Sequence, residues 1–370
     1  YQMLSTFYTR SGQQGWLCVW QAGTDIVWPT APQGVEVPFY KYNQLTTDDS
    51  AAYQSWELWY NMVENTNSII ASIETNTSEE LTQEEKDAIN AEARFFRAYF
   101  YFDKLKRFGE VPYYDYTIDP DDEESLQKPR DSRQFIVEKI LEDLDVAIEN
   151  LNQDQQLYTV TKYTALALKS RVGLYEGTYE KYRNISGYET YLEASIEASE
   201  ELMNNSPYKV FSSGNPSSDY LNLFNSHDAV GTEVIFAREF NTALDVDHNV
   251  NYYTTTSSYG RPGMPKDLVN TYLNADGSRF TDRPDYNQVF FTEEVANRDP
   301  RLSQTIRTPG YTRKGQTQEL PPNLGATVTG YQIIKYVTEP QYDTNDQSIT
   351  DLPIFRFGEI VLNFAEAKAE

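Results

Sequence analysis

The chain has 370 residues, enough for one large domain or two ordinary ones, and carries 56 acidic against 31 basic residues, a formal charge of −25. That field repels phosphate backbones and anionic headgroups, which argues against nucleic-acid binding. One cysteine, Cys18, and two histidines, His227 and His248, exclude an intrachain disulfide framework, a multi-cysteine metal centre and a histidine-rich zinc site.

Helical periodicity dominates the first two hundred residues. SWELWYNMVENTNSIIASIE (55–74) places Leu58, Met62, Asn65 or Thr66, Ile69 or Ile70, and Ile73 at helical spacing. A helix over 82–108 opens on the capping box Thr82–Glu85 and closes at Gly109 and Pro112. Its core, AEARFFRAYFYFDKLKRFGEVPYY (91–114), spreads aromatics over more than one face and threads basic residues between them. A helix apolar on several sides packs against several neighbours, as the inner helix of a stack of helical hairpins does.

Further helices are expected at 132–151, capped by Asp131 or Ser132, and at 161–177, from Thr161 to Gly177. Ala165, Ala167, Ser170 and Gly173 in the second are small, so a neighbouring helix can approach closely. The capping box Thr190–Glu193 opens another, with Tyr191, Ala194 or Ser195, Ala198 and Leu202 inward. Residues 206–355 turn rich in Pro, Gly, Ser, Thr and Asn, with strand-like patches at EVIFAREF (233–240) and GYQIIKYV (330–337). Helical pattern returns in FGEIVLNFAEAKAE (357–370).

No apolar run approaches the roughly 20 residues of a membrane span. The chain has no secretory leader at Tyr1 and ends inside a helical pattern, so further native protein is expected at both ends.

The 91–114 stretch resembles the signature of the SusD/RagB family, surface nutrient-binding lipoproteins of Bacteroidetes-type bacteria. PRDSRQFIVEKILEDLDVAIENL, TKYTALALKSRVGLYEG, YLEASIEASEELMNN, RDPRLSQTIRTPG, TGYQIIKY and LPIFRFGEIVLNFAEAKAE resemble further family blocks, in family order. The resemblance covers almost the whole chain. It implies a mainly α fold of tetratricopeptide-like helical hairpins, a SusD-like α-α superhelix, beside a loop-rich irregular half with short strands. A single domain over 1–370 is expected, with scaffold at 48–210 and 356–370 and a loop-rich ligand-binding part at 1–47 and 211–355.

The resemblance also implies a non-catalytic function. Such a protein binds an oligo- or polysaccharide at the outer membrane, outward-facing, and passes it to a SusC-like TonB-dependent transporter. Membrane attachment would run only through an N-terminal lipid anchor on a cysteine that this chain lacks; Cys18 reads as a packed thiol. A peptide-binding member of the family, or a glycoside hydrolase of the same uptake system, are the alternatives.

Loop aromatics suit sugars, whose C–H faces stack on rings while Asp, Asn and Arg bond the hydroxyls. The 29 tyrosines fit that use. In AGTDIVWPTAPQGVEVPFYKY (22–42), Asp25 resembles the family's early T/S-D element, and Trp28 and Tyr40 lie on a proline-stiffened loop. In NVNYYTTTSSYGRPG (249–263), the candidates are Tyr253, Tyr259 and Arg261. No cofactor or metal is expected: DVDHN (245–249) opens like a calcium loop, but Val250 and Thr256 replace the required glycine and glutamate. No P-loop, G-x-S-x-G or dinucleotide fingerprint occurs.

Overall fold

The computed structural model describes residues 50–244, 246–258 and 260–370. Cys18, Asp25, Trp28, Tyr40 and Tyr259 lie outside the described residues. Two compact units divide the rest: 50–210, 231–236 and 353–370 form one, and 211–230 and 237–352 belong to the other.

The first unit is helical. It contains α1 (Ser50–Glu74), α2 (Gln83–Phe108), α3 (Arg133–Asn150), α4 (Lys162–Lys181) and α5 (Tyr188–Asn205). Each packs on the next in order. The short strand β1 (Val234–Arg238) pairs with β2 (Leu352–Arg356), which leads into α8 (Phe357–Ala369), and α8 packs on α4 and α5. Two short helices, α6 (Asp219–Asn225) and α7 (Val250–Thr255), precede α8 in the chain. No helix among the described residues is long and apolar enough to cross a membrane.

Local chemistry sets most boundaries. Thr82 and Glu85 form their reciprocal capping box, and Gly109 ends α2 at φ 67°, which a side chain would resist. Ser132 caps α3 through the amide of Phe135, and Thr161 caps α4 through Thr164. Two expectations need correction. Helix α5 begins at Tyr188 behind the left-handed Gly187, φ 96°, so Thr190 falls inside the first turn and caps nothing. Helix α4 runs through Gly177 to Lys181. A Cβ on Gly177 would lie 2.6 Å from Leu192, and one on Gly173 2.5 Å from the Tyr191 carbonyl, so both glycines serve close approach by α5. Ser170 and Ser199 bond across that seam at 2.8 Å, and Asn363 of α8 reaches Ser170 at 3.0 Å.

Helix α2 is buried almost all round from Ala91 to Leu105, consistent with neighbours on both sides. Its Arg97 is buried too, and forks onto Asp143 of α3 with Nε–Oδ2 2.7 Å and Nη2–Oδ1 2.6 Å. Arg97 Nη1 donates to Asn67 Oδ1 of α1 at 3.0 Å, while Asn67 Nδ2 donates to the carbonyls of Tyr114 and Tyr116. Burial works against the Arg97 charge, but the hydrogen bond and charge of Asp143 outweigh it and hold the guanidinium protonated. Arg97→Ala removes the fork from a buried carboxylate and leaves Asp143 only the partly exposed Arg94, at 3.0 Å, so a loss of about 3 kcal/mol is expected in urea unfolding monitored by circular dichroism.

Lys104 on the same helix is fully buried. Among the described residues its Nζ has no hydrogen-bond partner, and it lies over the Trp56 ring at 4.6 Å and over the Tyr60 ring. Desolvation pushes its pKa down to about 6, so above that pH the folded state holds a neutral amine while the unfolded chain binds the proton. Stability from this site therefore rises with pH from about 6 to about 10. Lys104→Met is expected to be more stable than the parent at pH 7. That advantage should shrink by pH 9.5 in parallel chemical melts; an equal offset at both pH values would contradict it.

Candidate functional site

The loop-rich unit contains α6 (Asp219–Asn225), α7 (Val250–Thr255) and a small apolar core of Met264, Val269, Leu302, Ile306 and Tyr331. The patch at 330–337 forms no strand. Gln332 and Ile333 make only isolated bridges, to Gly263 and Ile306, and Tyr336 turns the chain at φ 65°.

Buried polar groups hold α7 in place. His248 and Ser348 exchange backbone bonds at 2.9 and 3.0 Å. The imidazole donates from Nε2 to the Thr350 carbonyl at 2.8 Å and accepts the Val250 amide at Nδ1, 3.1 Å, which makes it neutral with the proton on Nε2. Asn249 Nδ2 donates to Asp346, and Asn251 exchanges bonds with the hydroxyl and amide of Thr338. His248 is therefore committed to scaffold. Among the described residues no cluster of three or more His, Cys, Asp or Glu is placed to hold a metal.

On this base stand Tyr252 and Tyr253 of the 249–263 stretch. Tyr252 is half-buried. Tyr253 is 3% exposed, and a Cβ on Gly260 would lie 2.2 Å from its ring, so the ring fills the place of a side chain at 260. In this arrangement Tyr253 positions the loop and offers no open stacking face. Arg261, at φ 50°, directs Nε to the Gly325 carbonyl at 2.7 Å and Nη2 to those of Leu324 and Thr327 at 3.4 Å. The Val328 amide returns a bond to the Arg261 carbonyl at 3.2 Å. Arg261 Nη1 makes no hydrogen bond among the described residues and remains a free donor.

Gly263 completes the join, because the Thr327 and Thr329 hydroxyls occupy the space of its absent side chain. Leu324, 68% exposed, and Val328, 39% exposed, flank the clamped arginine. The result is a two-loop platform, 260–263 against 323–330, with apolar side chains outward and a guanidinium between. The 323–330 partner was missed in the sequence. Its only signal is the small-residue run GATVTG (325–330), whose role depends on contacts about sixty residues away.

Two family models match, one described as "SusD family" over residues 232–370 and one as "Starch-binding associating with outer membrane" over 30–174. The chain belongs to the SusD/RagB family. A SusD-like protein of Formosa agariphila, P38, is 30% identical over 37% of this chain and 26% of its own length. The chain thus spans about a quarter of that curated relative and 41% of a second one, P25 of the same organism. Among solved structures, a SusD-like protein of Bacteroides fragilis superposes with a TM-score of 0.76 at 24% identity, over 95% of this chain and 71% of that one. A SusD-like carbohydrate-binding protein of the same species gives 0.77 at 20% identity, over 99% and 72%. At these identities the likeness establishes the SusD-like, mainly helical fold.

Burial pushes the His248 pKa down to about 4, so the unfolded chain takes up this proton first as pH falls. The contribution is intact above about pH 6.5 and is lost progressively down to about pH 4, on the order of 3 kcal/mol in total. His248→Gln, although less stable near pH 7, should lose less further stability than the parent between pH 6.5 and 4 in urea melts. Equal acid losses in the two proteins would remove His248 as a cause.

Proposed function

We propose that this SusD-like chain is a non-catalytic glycan-binding protein that captures an oligo- or polysaccharide at the outward face of the outer membrane. It would hand the ligand to a SusC-like TonB-dependent transporter. The observation that carries this reading is the match of 30–174 to a family described as starch-binding and associated with the outer membrane. The carbohydrate-binding description of a structural neighbour over nearly the whole chain supports it. None of the relatives reported above is described as an enzyme.

The chemistry of the loops supports the same ligand class. Arg261 Nη1 and the exposed Leu324 and Val328 give a hydroxyl donor beside apolar surface, which suits the two faces of a pyranose. In this proposal Asp25, Trp28, Tyr40 and Tyr259 supply further hydrogen bonds and stacking faces, Arg261 binds directly, and Tyr253 contributes by holding the loop.

A glycan-array screen with a peptide pool alongside tests the proposal. Saturable binding to one glycan class is expected, weakened about fivefold by Trp28→Ala, the equivalent of one stacking contact of about 1 kcal/mol. No shortened product should be released from the bound glycan. Binding to peptides alone would overturn the ligand class, and failure to recover a TonB-dependent transporter from outer-membrane pull-downs would overturn the delivery role.

A further inference from the structure

A cleft of about 510 Å³ opens in the loop-rich unit between α6 and the turn at 311–316. It shares no residue with the 260–263 and 323–330 platform. The turn is a short hairpin: Thr312 bridges Glu319, the Leu320 amide bonds the Tyr311 carbonyl at 2.8 Å, and Gly315 reverses the chain at φ 76°. The volume lies within the range of small-ligand sites, about 300–1,000 Å³.

Such sites are mostly apolar, and this one is not. Its apolar surface comes from Leu221 and Tyr311, while Asn222, Ser226, Thr312 and Gln316 line the remainder with amides and hydroxyls. Among the described residues those four side chains make no protein hydrogen bond, so their donors and acceptors stay open. The cations at the cleft are already engaged. Arg313 forks onto Asp343 with both contacts at 2.6 Å, and Lys314 Nζ bonds the Asn225 carbonyl at 2.9 Å with Glu339 3.6 Å away. An anionic ligand would find no uncommitted positive charge there. A neutral ligand rich in hydroxyls matches the open groups.

The wall behind the cleft is stiff. Asn225 is buried, donates to the Val337 carbonyl at 2.7 Å and accepts the Tyr336 amide at 2.9 Å. That pairing holds Tyr336 in the left-handed region, which a bulky side chain adopts only when its surroundings impose it. Sites built on imposed backbone geometry lose less entropy on binding.

We propose that this cleft is a second ligand site, taking a short neutral saccharide segment, separate from the platform. Naming the ligand a saccharide rests on the glycan-binding reading. Two contact points on one protein would raise avidity for a long chain without either being strong.

The test is an amide chemical-shift titration with cellobiose, maltose, laminaribiose and xylobiose, with glucuronate as the anionic comparison. The amides of Asn222 and 314–316 are expected to shift saturably with at least one neutral disaccharide and not with glucuronate. Asn222→Trp, which fills the cleft from the exposed face of α6, should weaken that binding at least tenfold and leave shifts at 324–328 unchanged. The milder pair Thr312→Ala and Gln316→Ala should weaken it several-fold if the tryptophan disturbs folding. Saturable shifts at the platform alone would overturn the cleft and leave the glycan reading standing. Preference for glucuronate would overturn the neutral-ligand assignment. Silence at both sites, together with an empty glycan array, would overturn both readings.

Discussion

Three bidentate arginine–carboxylate clasps set the register of the helical unit. Arg97 of α2 holds Asp143 of α3, Arg133 of α3 holds Glu176 of α4, and Arg171 of α4 holds Glu359 of α8. The planar guanidinium fork accepts a carboxylate in one geometry, so each clasp specifies both the facing residue and the rotation of its helix. Apolar packing alone would tolerate a slip of one turn between helices as broadly hydrophobic as α2. Burying the ions costs solvation, and such pairs add little net stability over a well-packed apolar alternative. Their value here lies in specificity, since a slipped helix would leave Asp143 or Glu176 charged and unpaired.

Close approach is the second constraint, and it operates where clasps are absent. Along α4 and α5 the contact is backbone against backbone at Gly173 and backbone against the Leu192 side chain at Gly177, with Ser170, Ser195 and Ser199 bonding across it. The loop-rich unit meets the same need for order differently. Its apolar cluster is small, and the segments around α7 are tied by side-chain amides and an imidazole reaching main-chain partners. Irregular backbone leaves many amides and carbonyls outside any ladder, and buried Asn and His satisfy them one at a time.

That difference explains what could be read from the sequence. The helical unit was legible because helices announce themselves locally: Thr82, Ser132 and Thr161 cap where they were expected, and Met62, Thr66 and Ile70 fall on the buried face of α1. The errors came where tertiary contact overrode a local rule. Gly177 reads as a stop because nothing near it in sequence reveals Leu192, and Thr190 reads as a cap because Gly187 offers no side chain to compete. The loop-rich unit was harder for a definite reason. Asn249 and Asp346 are 97 positions apart, and Arg261 and Gly325 are 64 apart, so no window of sequence contains both partners. Of the candidate site, residue types and loop location were visible, whereas the pairing of loops and the inward turn of Tyr253 were not.

The chain's charge bears on its ligand through the same contacts. At −25, a long-range field opposes any polyanion, and a site for one would need free cations to overcome it. The basic groups on the loop unit's two concave or clamped surfaces are instead largely engaged by the protein: Arg313 and Lys314 meet carboxylates and a carbonyl, and Arg261 closes on three carbonyls of the 324–327 turn with Nη1 alone left open. A neutral polyol feels none of the field and needs only oriented donors, acceptors and apolar faces. Inward cations rigidify the loops that present those groups, and a rigid loop loses little entropy when a weakly held sugar arrives. Strong acidity and sugar recognition are therefore compatible here, because Arg313 and Lys314 order the surface that presents polar groups, and Arg261 orders its loop while keeping Nη1 for a hydroxyl.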